Sequence, residues 1–216
     1  LESKLTPVIY HRGHLERFQA CSLAPFEVHL KIDTGMSRLG VKWQEVEAFL
    51  ETLRNFPRCQ VSGVLTHLAA ADTDTEYPRL QLERFRECLR LLRSAGHRPR
   101  IIHAANTAAT FRHPDSYFDM VRVGGGLFGI NMGEQSQAQL MPTLSLVSQI
   151  VDLRTVHRGE SVGYDATFIA KKEIRVATVP IGYGDGYLRS LSDKGIALVS
   201  GLRCPVIGRV SMDLIT

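Results

Sequence analysis

The clearest pattern in the first half of the chain is at Val28, Leu30 and Ile32, which alternate with His29, Lys31 and Asp33. This period of two predicts a half-buried strand. Trp43, Val46, Leu50 and Leu53 then recur at spacings of three, four and three, which predicts an amphipathic helix. The same alternation of types runs along the rest of this half. Val8 to Tyr10 reads as a short strand, and His14 to Ala24 as a helix with Leu15 and Phe18 on one face. Val61 to Leu68 reads as a strand, and Leu82, Phe85, Leu89 and Leu92 mark a helix closed by Gly96. Arg100 to Asn106 is predicted as a strand, and Met120 to Ile130 as another that ends in glycines. Strands alternating with helices predict a parallel sheet or a barrel, an α/β arrangement.

The rhythm changes after residue 131. A polar stretch, "NMGEQSQAQLMP", leads into "TLSLVSQIVDLRTV" and a series of short β-rich segments separated by turn signals such as "HRGE" and "YGDGY". No helical period is legible there. The expected organisation is a partial (β/α) barrel over residues 1–135 and a β-rich domain over residues 136–216.

Composition narrows the class. The chain has 216 residues, 44% hydrophobic and 22% charged, with a net charge of +4, which is ordinary globular composition. The basic residues do not cluster and aromatics are 7%, so a nucleic-acid surface is not expected. No apolar run reaches the roughly 20 residues of a membrane span. Cys21, Cys59, Cys88 and Cys204 lie far apart without a C-x-x-C pair, the pattern of reduced thiols in a cytoplasmic protein and not of a zinc site.

Lys31 and Asp33 beside an apolar strand cost free energy unless they are paired or in use. In a parallel α/β barrel the chemistry lies at the carboxyl ends of the strands. Those ends carry Arg38, His67, Asn106, Thr107, Arg122 and the run Gly124 to Gly126. Taken singly, each has a structural explanation: a hydrogen-bonded histidine, an N-cap, a tight turn. Together they place two arginines, a histidine, a helix-opening threonine and glycine amides on one face. Such amides bind phosphate, and arginine binds carboxylates in bidentate fashion. The implied ligand carries both a phosphate and a carboxylate. Neither the dinucleotide nor the P-loop glycine pattern is present.

The motifs "KIDTGMSRLG", "THLAAAD", "HAANTAA", "VRVGGGLFGI", "VGYDATF", "IGYGDGYLR" and "GRVSMDLIT" give the sequence a resemblance to the bacterial alanine racemases from about Pro7 to Thr216. These are fold-type III enzymes that depend on pyridoxal 5'-phosphate (PLP). The resemblance implies a TIM-like barrel that holds PLP, a β domain, and a cytoplasmic homodimer with shared active sites that makes D-alanine for peptidoglycan. By motif, Tyr164 resembles the base that takes the α-proton from L-alanine. Arg38 resembles the arginine that contacts the substrate carboxylate and the PLP phenolic oxygen. Lys31 matches a lysine that can be carbamylated and would orient Arg38; the alternative is that Asp33 alone pairs with Arg38. Arg122 resembles the arginine facing the pyridine nitrogen, and His67 the histidine linking it to the tyrosine. Asn106, Thr107, Gly124 and Gly125 fall at the cofactor, with Thr107 and the two glycines at its phosphate. Tyr183 and Met212 match the substrate end of the pocket; Asp185 reads equally as part of a β-turn.

The resemblance also implies a two-base reaction on a PLP imine whose second base is a lysine in a V-K-A-x-A-Y-G-H-G-like motif. That motif is absent, as is the end of the β domain, so the expectation is a fragment that is inactive alone. Phe128, Val123 and Asp165 stand where the family usually has Tyr, Pro and Gly. Asp165 beside Tyr164 would tend to raise the tyrosine's pKa. The alternatives are a racemase for another small amino acid such as serine, or a non-catalytic PLP-binding fragment.

Overall fold

The computed structural model describes residues 5–21, 23–130 and 140–216. The chain divides into two compact units, Leu1–Leu144 and Ser145–Thr216. The boundary expected at residues 135 and 136 lies outside the described residues.

In the first unit β1 (Val8–Ile9) leads to α1 (Arg12–Cys21), β2 (Phe26–Asp33), β3 (Val41–Lys42) and α2 (Val46–Leu53). Then come β4 (Cys59–Leu65), α3 (Glu76–Ser94), β5 (Ile101–His103) and α4 (Thr107–Arg112). The strands are parallel in the order β1-β2-β4-β5, with β3 also paired to β2. β1 and β5 are its edges among the described residues, so this is part of a barrel and not a closed one. Alternation along β2 decides its two faces. Val28, Leu30 and Ile32 are fully buried in the apolar core with Ile9, Leu15, Val64, Phe85 and Leu92. His29, Lys31 and Asp33 lie half-buried on the other face. α3 ends where the sequence predicts: Gly96 takes φ +90°, and the His97 amide donates to the Leu92 carbonyl, closing the helix in a Schellman turn.

Between β2 and β4 the register slips by one residue. Val28 pairs with Val61, but His29 pairs with Gly63. Ser62 is therefore an extra residue, a β-bulge.

The predicted strand at Met120 to Ile130 does not form. This segment runs beside β5, with the Asp119 amide donating to the Ile102 carbonyl and the Arg122 amide to the Ala105 carbonyl. The Ile102 amide, however, donates to the Asp119 carboxylate, 2.8 Å away, instead of to a backbone carbonyl. A side chain thus replaces a ladder bond, and Gly125–Phe128 turns away as a 3₁₀ turn.

The second unit holds three antiparallel pairs: β6 (Asp152–Val156) with β9 (Ile174–Thr178), β7 (Ser161–Val162) with β8 (Phe168–Ile169), and β10 (Ile196–Val199) with β11 (Leu202–Pro205). Its helical residues are 3₁₀ turns among the described residues. Of the β-rich run from Thr143, only Asp152–Val156 is paired as a strand. Leu144, Leu146 and Val147 before it are exposed. Two small clusters form the core, one around Val156, Val162 and Val176, the other around Ile181, Val206, Val210 and Ile215. All four cysteines are free, and among the described residues no helix is long and apolar enough to cross a membrane.

Candidate active site

The carboxyl ends of β2, β4 and β5 bring the predicted polar residues of the first unit together. Arg122 is the hub. Its Nη2 donates to the Thr66 carbonyl at 2.8 Å and the Ala104 carbonyl at 3.1 Å, and lies 3.4 Å from His67 Nδ1. Its Nη1 lies 2.7 Å from His103 Nδ1. Its Nε makes no hydrogen bond among the described residues. The guanidinium is thus held through its two terminal nitrogens, and its Nε–H and one Nη1–H have no partner among the described residues.

His67 and His103 are both neutral. Burial, and then the Arg122 charge, push His67 down to about 4 and His103 likewise to about 4. A histidine that accepts from a guanidinium carries its proton on the other ring nitrogen. Lys31 is half-buried, and its pKa is lowered by burial and by the charges of Arg38 and Arg122, with Asp33 opposing. Lys31, Arg38 and Arg122 therefore form a cationic group close enough to act on one another.

Asp33 does not pair with Arg38. One carboxylate oxygen, Oδ1, accepts three backbone amides, from Gly35 at 3.0 Å, Met36 at 2.9 Å and Ser37 at 3.1 Å. It shapes the loop that presents Arg38. α3 pins the same loop from outside. The Tyr77 hydroxyl donates to the Gly35 carbonyl at 2.7 Å and Arg84 Nη1 to the Thr34 carbonyl at 3.0 Å, while Arg84 also lies 5.2 Å over the Trp43 ring. Gln81, fully buried, ties the ends of β2 and β4 by donating to Thr34 Oγ1 and the His67 carbonyl and accepting from the Ala69 amide.

Asn106 caps α4: its Oδ1 accepts from the Ala109 amide at 3.0 Å and its Nδ2 donates to the Leu68 carbonyl at 3.2 Å. Its side chain is engaged in holding the turn, leaving Thr107 as the side chain facing the glycines. Thr107 Oγ1 accepts from the Gly124 amide at 2.9 Å. Gly124's amide is thereby occupied, while the Thr107 hydroxyl proton and the Gly125 amide have no partner among the described residues.

In the second unit Tyr164 is 71% exposed and sits in a 3₁₀ turn, Tyr164–Ala166. It lies in the wall of a cleft of about 500 Å³ with Arg154, Thr178, Arg209 and Ser211. Asp165 follows in a left-handed conformation, φ +61°. Glycine enters this region most readily, and Asp is among the few other residues that tolerate it, which accounts for the glycine usual there. The Asp165 carboxylate is turned to Arg209, whose Nε is 2.9 Å away. The Tyr183 amide donates to the Ser211 carbonyl and the Gly184 amide to the Met212 carbonyl, which brings the Tyr183 and Met212 segments together. Asp185 accepts from the Gly182 amide at 3.0 Å and closes its own turn.

Sequence reading missed His103 and His29. His29 Nδ1 lies 3.0 Å from His103 Nε2. The signal was present: His29 shares its face of β2 with Lys31 and Asp33, and His103 ends the strand "IIH".

Comparison with known proteins agrees with this architecture. Residues 1–132 match the alanine racemase N-terminal domain family, and residues 143–216 match the alanine racemase C-terminal domain family. Among curated relatives, the alanine racemase of Sorangium cellulosum is 44% identical over 217 residues, covering 97% of this chain and 57% of its own length. That of Syntrophobacter fumaroxidans is 41% identical over 222 residues, covering 100% of this chain and 59% of its own. Among solved structures, the alanine racemase of Bacillus anthracis with bound L-Ala-P superposes with a TM-score of 0.85 at 33% identity, over 96% of this chain and 56% of that one. The Bartonella henselae alanine racemase with covalently bound pyridoxal phosphate gives 0.82 at 28% identity, over 99% of this chain and 59% of that one. The chain thus spans somewhat over half the length of the relatives it matches. With both domain families matched in order along nearly all of its residues, this chain belongs to the alanine racemase family.

Proposed function

We propose that this chain supplies most of the pocket of a PLP-dependent racemase that interconverts L-alanine and D-alanine, acting in the cytoplasm as a homodimer. The observation that carries the reading is the state of Arg122: its Nη1 and Nη2 are bound to protein acceptors while Nε–H has none among the described residues. A guanidinium is a donor that stays protonated. It suits an acceptor such as an unprotonated pyridine nitrogen, and an acidic residue at that place would favour a protonated ring instead. The Thr107 hydroxyl and the Gly125 amide fit a phosphate. These residues therefore fit PLP, which when bound supplies the electron withdrawal that acidifies the alanine Cα–H.

The chain's own residues do the rest. Arg38 binds the substrate carboxylate. Lys31, with its pKa lowered, holds a larger share of neutral amine, the form that carbamylation needs. A carbamate there would turn a repelling cation into a partner for Arg38. Tyr164 removes the α-proton of L-alanine, and its exposure in the second unit accords with a role at a site completed by another surface. Tyr183 and Met212 border the substrate. The second base is a lysine in a motif this sequence does not contain.

The test is Tyr164→Phe in the protein expressed from its complete reading frame. The expected result is retained PLP absorbance with loss of solvent-deuterium exchange at Cα from L-alanine. Normal turnover from L-alanine in that variant would contradict the assignment.

A further inference from the structure

We propose that His29 and His103, seated by Gly63, are positioning residues that fix the guanidinium plane of Arg122 and so aim its free Nε–H. The inference rests on the reading of Arg122 as the donor to a bound ring. It begins from what each group can do with its protons. Arg122 only donates, so His103 Nδ1, 2.7 Å from Nη1, must accept. A neutral His103 then has its proton on Nε2, where it donates to His29 Nδ1 at 3.0 Å. His29 in turn carries its own proton on Nε2. One arrangement of hydrogens satisfies all three groups. Protonating either histidine sets two donors against each other, in keeping with the lowered pKa of both.

Backbone geometry holds the outer member. The bulge at Ser62 brings Gly63 opposite His29. A Cβ on Gly63 would lie 2.5 Å from His29 Cδ2 and Nε2 and 2.6 Å from Cε1. Residue 63 is glycine because the imidazole lies against its Cα, and an isolated glycine inside a strand is a sign of such an approach. Charge around the chain is arranged to leave it neutral: Arg122 bears on His103, and Glu27, which acts on His29, is itself bound by Arg100 at 2.8 Å. His103 is 3% exposed. Without His29 its Nε2–H would have no acceptor in a buried place, and the ring could turn and release Nη1. Only the Nη2 contacts, to Thr66, Ala104 and His67, would then hold the guanidinium.

The test is nitrogen NMR on the cofactor-free protein expressed from its complete reading frame. In the wild type the proposal requires a resolved N–N coupling across the hydrogen bond between His103 Nε2 and His29 Nδ1, and separate Nη1 and Nη2 signals for Arg122. His29→Ala and Gly63→Ala should lose the coupling and merge the two Arg122 signals. His29→Asn, whose Oδ1 can stand in for Nδ1, should keep the Arg122 signals apart. Amide shifts of Val28, Leu30 and Val64 report whether the sheet is intact. Absence of the coupling in the wild type, or Arg122 signals that stay separate in folded His29→Ala and Gly63→Ala, would overturn the proposal. Neither readout involves PLP, so failure here leaves the racemase reading standing, whereas failure to take up PLP removes the ring that Nε–H is aimed at without moving either readout.

Discussion

Asp33→Ala removes the acceptor of three amides at once. Gly35, Met36 and Ser37 all donate to one oxygen at 2.9 to 3.1 Å, and the path they follow is intrinsically disfavoured, with Gly35 at φ +145° and Ser37 at φ +56°. A hydrogen bond to a charged group contributes about 1.5–3 kcal/mol, and an exposed donor recovers part of that from water. Ser37 is exposed, and Gly35 and Met36 are partly buried. The net loss is therefore about 2 kcal/mol, not three times the single-bond figure. Urea unfolding of Asp33→Ala should show that loss, and Asp33→Asn, which keeps an acceptor without the charge, should recover roughly half of it. Because the same loop presents Arg38, Asp33→Ala should also raise the KM for alanine in the direction of Arg38→Ala. A destabilisation under about 0.5 kcal/mol, the size of an ordinary surface substitution, would refute the clamp.

Three further outcomes follow from the same structure. His67 and His103 titrate near 4 in the folded chain, against 6.5 in the unfolded one. The unfolded state binds more protons between those values, so stability should be full above pH 6.5 and fall as pH drops toward 4. Buried His103 contributes on the order of 2 kcal/mol, half-exposed His67 less, and urea midpoints from pH 6.5 to 5 should depend on pH less in His103→Gln than in the wild type. Phe85, fully buried and edge-on to Phe118 at 5.5 Å, should cost about 3–5 kcal/mol when cut to alanine, a large drop in Tm, whereas exposed Leu188→Ala should cost under about 0.5 kcal/mol. Asp165→Gly should stabilise the Tyr164 turn by about 1 kcal/mol of relieved left-handed strain, since the Arg209 pair it gives up is exposed and weak; a lower Tm in that variant would contradict this.

The legibility of the fold follows from where side chains decide the structure. β2 and α3 were readable because burial selects their apolar residues at fixed periods, and Gly96 ends α3 as read. The strand expected at Met120 to Ile130 failed because the deciding bond is made by the Asp119 side chain, which no apolar period reports. The site splits along the same line. Arg38, His67 and Thr107 follow strand ends, and Arg122 lies in the segment beside β5; all four could be listed from sequence. Their wiring could not, because it depends on the bulge at Ser62, and the shift in register that seats His29 against Gly63 leaves no mark beyond one glycine inside a strand. The alternative that Asp33 alone pairs with Arg38 fails because the backbone amides of its own loop take the Asp33 oxygen.

The most direct measurement is chiral analysis of alanine after incubating L-alanine with PLP and the protein expressed from its complete reading frame. D-alanine should accumulate toward an equal mixture, and the Arg38→Ala variant should need far more substrate to reach the same rate. PLP bound without any D-alanine formed would contradict the racemase reading.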